Sequence, residues 1–139
     1  MSEDWFQLEQ LHQAAQRGDA KLAANLIERG CDPNSFDELG NTPLHYAAEE
    51  EHFDIVKLLL SHGANVNACC EARSGDTPIG HVAGTCSLAM ANLLVEAGAD
   101  PTIPGSMQID ALYHAKQRKR GDGPKVYDLL RRRAGSTDE

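Results

Sequence analysis

A short pattern returns along this chain at near-constant spacing, and that return constrains the fold more than any other feature. Leu11-His12 stands 33 residues before Leu44-His45, and Gly30 stands 33 residues before Gly63. Thr42-Pro43-Leu44 comes back 35 residues later as Thr77-Pro78-Ile79, and Gly63-Ala64-Asn65 as Gly98-Ala99-Asp100. Asp110-Ala111-Leu112 opens a fourth, degenerate copy that Leu129-Leu130 closes. A period of this size marks a supersecondary unit that cannot bury its apolar face alone and does so against its neighbours in a stack.

Residues 40–67 define the unit best. The Thr42 hydroxyl is placed to cap a helix by accepting an amide of its first turn. Pro43 follows at the first helical position, where its missing N–H costs nothing. Leu44, Ala47 and Ala48 then fall on one face, and Ile55, Val56, Leu59 and Leu60 form the stripe of a second helix. Gly63 suits a left-handed C-cap. With Thr42-Pro43-Leu44-His45, His52, Ile55-Val56, Leu59-Leu60 and Gly63-Ala64-Asn65 in place, the unit resembles an ankyrin repeat, whose period is about 33 residues. The resemblance runs through repeats at about 6–38, 39–73, 74–106 and 107–135, so it covers nearly the whole chain. It implies one all-α domain over residues 1–139. That domain is an ankyrin-repeat solenoid of stacked helix-turn-helix pairs, with β-turn or hairpin fingers between them and the first and last repeats acting as caps.

Composition agrees. Hydrophobic residues make up 41% of the chain but aromatics only 5%, which suits close-packed, alanine-rich helix pairs better than a large sandwich. The formal net charge of −8 is unevenly placed: residues 1–106 carry 5 Lys/Arg against 16 Asp/Glu, and residues 107–139 carry 8 against 5. An acidic body repels nucleic acid and anionic membranes at long range. No apolar run reaches the roughly 18 residues of a membrane span, and the acidic N-terminus shows no secretory leader. A cytoplasmic location is the expectation. Cys31, Cys69, Cys70 and Cys86 lack framework spacing, so four reduced thiols are expected.

Repeat 3 departs from the pattern. Gly80 stands where His45 stands in repeat 2, and a mid-helix glycine costs about 0.5–1 kcal/mol against alanine, so its inner helix is expected to be the weakest. The finger before it is longer: Asn67 to Gly75 spans 8 residues where Asn34 to Gly40 spans 6. The loop Arg118–Pro124 of repeat 4 is also about two residues longer than its counterpart.

Catalytic chemistry finds no foothold. His12 and His45 sit where, by the resemblance, a histidine bonds to the helix-start threonine and the neighbouring finger; repeat 1 lacks that threonine. No histidine pair has zinc-protease spacing, and Cys69, Cys70, His81 and Cys86 lack the paired Cys-x-x-Cys of a zinc site. There is no phosphate loop and no nucleophile elbow. The basic run Lys116–Arg120 reads as a solvated helix end, where cations are favourable, rather than a nucleic-acid patch. No enzyme activity, metal or cofactor is expected.

The resemblance implies a surface for another protein, formed by the fingers and the concave face of the inner helices. Carried over position by position, it takes Arg17 from repeat 1 and Glu38, Leu39, Asn41, Tyr46, Glu49 and Glu50 from repeat 2. Repeat 3 adds Arg73, Asp76 and His81, and repeat 4 adds Met107, Ile109, His114 and Arg118. Acidic in the middle with apolar points at Leu39, Met107 and Ile109, this surface suits a basic or apolar partner, bound by a chain that is otherwise monomeric. Adaptor, stoichiometric inhibitor of the toxin-neutralising or immunity type, and accessory subunit of an enzyme all remain open.

Overall fold

The computed structural model describes residues 2–70, 75–105 and 109–135, with side chains from Gln10 onward. Among them are eight α-helices and no strands, arranged as four pairs. Repeat 1 holds α1 (Ser2–Arg17) and α2 (Ala20–Glu28), and repeat 2 holds α3 (Pro43–Glu49) and α4 (Phe53–Ser61). Repeat 3 holds α5 (Pro78–Val82) and α6 (Leu88–Glu96), and repeat 4 holds α7 (Ala111–Lys116) and α8 (Gly123–Ala134). The inner helices pack in sequence, α1 on α3, α3 on α5 and α5 on α7; α2 lies on α4 and α6 on α8 along the outer row. The architecture is the all-α solenoid that the period predicts.

Local chemistry sets the helix starts. Thr42 and His45 close a capping box. The Thr42 N–H donates to His45 Nδ1 at 3.0 Å, and the Thr42 hydroxyl lies 2.8 Å from the same nitrogen. At the equivalent place in repeat 3, the Thr77 hydroxyl accepts the Gly80 N–H at 3.1 Å. A Cβ on Gly80 would sit 3.2 Å from that hydroxyl, so the glycine leaves the cap room. α5, with 5 residues, is the shortest of the inner helices. Asp19, Ser87 and Asp110 cap α2, α6 and α7 in the same way, each accepting an amide three residues on. Gly63 ends α4 at φ +90°, a conformation a side chain would strain.

One apolar cluster runs from Ala15 and Leu44 in the inner row through Ile55, Val56 and Leu59 to Val126 and Leu130. A smaller one holds repeat 1 together around Leu11, Ala14, Ala23 and Leu26. Each fully buried aliphatic side chain contributes roughly 1.5–3 kcal/mol. Ala47, Ala48, Ala83, Ala91 and Ala115 are buried at the helix contacts, where a methyl group lets backbones approach.

Polar staples fix the register between repeats. Asn34 donates its amide to Gly63 O and accepts from Asn65 N; Asn67 does the same with Gly98 O and Asp100 N. Glu51 sits at φ 61°, the one non-glycine with positive φ among the described residues. Its carboxylate reaches into the next repeat and accepts both the N–H and the hydroxyl of Ser87 at 2.7 Å. Asp122, from the repeat beyond, accepts the Leu88 N–H at 2.8 Å. Two carboxylates from opposite sides thus hold the positive end of α6. No described helix is long and apolar enough to cross a membrane.

Candidate partner-binding face

Two histidines sew the fingers to the inner helices. His45 is fully buried; its Nε2–H donates to Asp76 O at 2.6 Å while Nδ1 accepts from Thr42, so both its tautomer and its ring orientation are fixed. In repeat 1, where the sequence has Glu9 in place of the threonine, His12 plays the finger-facing half of this role, donating from Nε2 to Ser35 O and Asn41 O at 3.0 Å. A third histidine, His52, donates to Gln16 O at 3.2 Å and packs on Gly18.

Asp37 organises the first finger. Its N–H bonds to Asn41 O at 2.9 Å and its carbonyl takes the Gly40 N–H at 3.0 Å, closing a tight hairpin. One carboxylate oxygen accepts the Leu39 and Asn41 amides, each at 3.0 Å, and the other accepts the Tyr46 hydroxyl in a short bond. Burial by itself would raise the Asp37 pKa, but the Tyr46 hydroxyl, the two amides and the charge of His12 outweigh it and hold the carboxyl below its usual range. Burial and then the Asp37 bond push the Tyr46 phenol up. The hairpin walls one side of a cleft of about 260 Å³, lined by His12, Gln13 and Gln16 from α1, by Asp37, Glu38 and Leu39 from the finger, and by Tyr46.

Leu39 is 72% exposed at the finger tip, and Glu38 beside it is exposed too. Glu38, Leu39 and Tyr46 therefore share one cleft, with Asn41 half-buried at its hairpin. Glu49 and Glu50 are exposed at the end of α3, and Glu49 pairs with His81 Nε2 of the next repeat at 3.0 Å. Asp76 is half-buried, its carbonyl taken by His45. Ile109 is half-buried in the last finger, where its carbonyl takes the Gly105 N–H at 2.9 Å. Arg17 is exposed at the end of α1, and His114 is half-buried on α7 with its ring edge-on to Tyr113. Arg73 and Met107 lie outside the described residues.

Arg118 is turned inward. Its guanidinium donates to Ala83 O at 3.2 Å and Cys86 O at 2.8 Å, so it closes the end of α5 rather than standing free as a contact. Arg118→Ala should cost about 1–3 kcal/mol, the range for a charged hydrogen bond to a buried group. Urea melts check this; a loss under about 0.5 kcal/mol, the range of an ordinary surface change, would show the clamp to be incidental.

Sequence reasoning passed over Phe36, 41% exposed on the first finger, and the carboxylates of Asp37, Glu51 and Asp122. The 33-residue spacing of Asn34 and Asn67 was the one available signal for the staples.

The four cysteines are thiols: Cys31 and Cys86 are buried, Cys69 and Cys70 half-buried. Burial pushes the Cys86 thiol up to about 11, which slows its reaction because the thiolate is the nucleophile. Thiol titration of freshly purified, denatured, unreduced protein should count all four of these cysteines, and in the native state Cys69 and Cys70 should react first. Finding half that number in the denatured protein would contradict the reading. Among the described residues no group of three or more His, Cys, Asp or Glu side chains could hold a metal ion.

This geometry agrees with the comparisons. The family described as ankyrin repeats (3 copies) matches residues 11–104, and the chain belongs to it. Ankyrin repeats are generally non-catalytic modules of protein–protein interaction. The chain is 34% identical over 125 residues to the mouse B-cell lymphoma 3 protein homolog, covering 89% of this chain and 26% of that one. It is 39% identical over 77 residues to the NF-kappa-B inhibitor cactus of Drosophila yakuba, 55% of this chain and 14% of that one. It is also 42% identical over 69 residues to the mouse 2-5A-dependent ribonuclease, 49% of this chain and 9% of that one. The chain thus spans about a quarter or less of the length of these relatives, one of which is named as an enzyme.

Proposed function

We propose that this chain is a non-catalytic module that binds a partner protein through its fingers and the face of its inner helices. The observation that carries the reading is the first finger: an apolar tip, Leu39, 72% exposed and flanked by the exposed carboxylate of Glu38. A large apolar side chain held at a finger tip beside a charge is offered to a partner, and desolvated apolar anchors dominate interfaces. The partner surface is basic or apolar, since Glu38, Glu49 and Glu50 present negative charge on the same repeat. Residues 1–139 act as one domain, monomeric by itself and cytoplasmic, without affinity for nucleic acid or membranes. Arg17, Asn41, Tyr46, Arg73, Asp76, His81, Met107, Ile109, His114 and Arg118 complete the proposed surface, with Asn41, Asp76 and Arg118 acting mainly by holding its shape.

A stoichiometric inhibitor is the second reading, favoured by the relative named as an inhibitor of NF-kappa-B, matched over 55% of this chain. Adaptor and enzyme-accessory roles use the same face. The deciding experiment is capture and identification of the partner, followed by assay of its activity. Loss at a one-to-one ratio supports inhibition; unchanged activity with a third protein recruited supports an adaptor; a gain supports an accessory subunit. Kinetics with that partner then test the face. Glu49→Lys with Glu50→Lys should mainly slow association, and more so at low salt, because steering charges act on the encounter. Ile109→Asp should mainly speed dissociation, because desolvated apolar anchors dominate retained affinity. If both leave binding untouched while changes on the outer helices abolish it, the face is wrongly placed.

A further inference from the structure

The cleft beside the first finger has a more specific chemistry than a generally acidic surface. Among the described residues its lining includes two carboxylates, Asp37 and Glu38, and no lysine or arginine. Asp37 cannot swing away, because both its oxygens are held, by the Leu39 and Asn41 amides and by the Tyr46 hydroxyl. A carboxylate has about four acceptor sites, and three of these are used, so acceptor capacity remains beside a fixed negative charge. Tyr46 offers an aromatic ring on the same wall, oriented by an edge contact with His12 at 6.0 Å. Gln16 adds a side-chain amide on the α1 side. Two apolar side chains of the same finger are exposed: Leu39, which lines the cleft, and Phe36, three residues before it in the chain.

The size is informative. At about 260 Å³ the cleft falls below the range of about 300–1,000 Å³ for sites that enclose a whole small-molecule ligand. It suits one long side chain entering from a larger body outside. Arginine fits better than lysine. Its planar fork can address two acceptors at once and lie against an aromatic face, whereas the lysine ammonium is a compact, strongly hydrated point charge.

Resting on the protein-binding reading above, we propose that this cleft receives a single arginine side chain from a partner segment, with an apolar neighbour of that arginine resting on Leu39. The guanidinium bridges Asp37 and Glu38 and stacks on Tyr46. The first finger is thereby the anchor point of the face, and the recognised sequence is an arginine flanked by a large apolar residue.

The test uses the full chain and defined probes. Backbone amide NMR spectra are followed while capped Leu-Arg-Leu, Leu-Lys-Leu or Leu-citrulline-Leu is added. Citrulline keeps the shape of arginine and removes its charge. Saturable shifts are expected at residues 12–16 and 36–46 with the arginine peptide, roughly threefold or more weaker with lysine, and absent with citrulline. Glu38→Gln and Leu39→Ser change exposed side chains, so the fold should survive, and each should weaken arginine binding by roughly threefold or more. Equal shifts with citrulline, or non-saturating shifts spread over Glu49, Glu96 and Asp100, would overturn the proposal. So would no shift at all. Shifts at residues 36–46 that grow with protein concentration alone would give the cleft to a second copy, through Arg131, Arg132 or Arg133, and overturn it equally. If the peptides fail here while Glu49→Lys with Glu50→Lys still slows a captured partner, the cleft assignment falls and the protein-binding reading stands.

Discussion

Leu59→Ala should destabilise this protein by about 2–5 kcal/mol, the cost of a large-to-small change in a packed core. Leu59 is fully buried in α4 and joins the cluster that runs through repeats 2 to 4. Its backbone carbonyl takes the Ala64 N–H at 3.0 Å just past Gly63, so the helix end above the cavity is pinned and cannot collapse freely into it. Repeat 2 is packed on both sides, by α1 and α5 along the inner row. In a stack where each repeat touches only its neighbours, a two-sided repeat carries more interface than a terminal one. Leu130→Ala, equally buried but in the last repeat, should therefore cost less. Arg132→Ala should stay within about 0.5 kcal/mol. Its side chain is 73% exposed, and its pair with Asp128 at 2.8 Å lies in solvent, where such pairs contribute little. Urea denaturation of the three variants decides the matter, and equal losses would remove any special place for repeat 2.

The helices were legible because their ends are written locally. Thr42-Pro43 and Thr77-Pro78 start α3 and α5, and Gly63 follows the end of α4. The buried faces were legible because Ile55, Val56 and Leu59 repeat at helical spacing. What composition and spacing do not carry is which polar side chains the stack itself consumes. Glu49, Glu50 and Glu51 are equivalent as letters. The structure separates them, because φ 61° at Glu51 turns its carboxylate onto Ser87 while Glu49 and Glu50 stay exposed. Arg118 sits in a basic run that reads as a solvated helix end, yet it bonds two carbonyls of repeat 3. α5 stops at Val82, so the carbonyl of its cap Ala83 has no helical partner, and Cys86 O lies in the turn beyond, a need visible only once the helix length is known. Asp37 was hidden for a similar reason: its role depends on a hairpin that brings Tyr46 to it from nine residues away.

Stability should fall as pH drops from about 6.5 to about 4, and His45 should be the source. Its imidazole pKa is lowered from 6.5 to about 4: burial is the main cause and the neighbouring His81 adds to it, against the opposing bond to Asp76 and the charges of Asp76 and Asp37. The His81 ring lies 5.5 Å away, and Thr42 occupies the other side of the ring. In the unfolded chain His45 takes a proton below about 6.5; in the folded chain it stays neutral until about 4. Between those values the unfolded state binds more protons, so acidification favours unfolding; above about 6.5 both forms are neutral and the histidine contributes no slope. At about 1.4 kcal/mol per pH unit the loss approaches about 3 kcal/mol at the acid end. Asp37 and Asp100 are also shifted, but both lie below their ordinary 3.8, so their stabilising effect is lost only under more acidic conditions. Urea midpoints at about pH 7, 5.5 and 4.5 should therefore fall steeply for the native sequence and much less for His45→Gln, whose amide can still reach Asp76 O. His81→Asn should keep most of the slope. Parallel losses in the native sequence and His45→Gln would show that the acid sensitivity lies elsewhere.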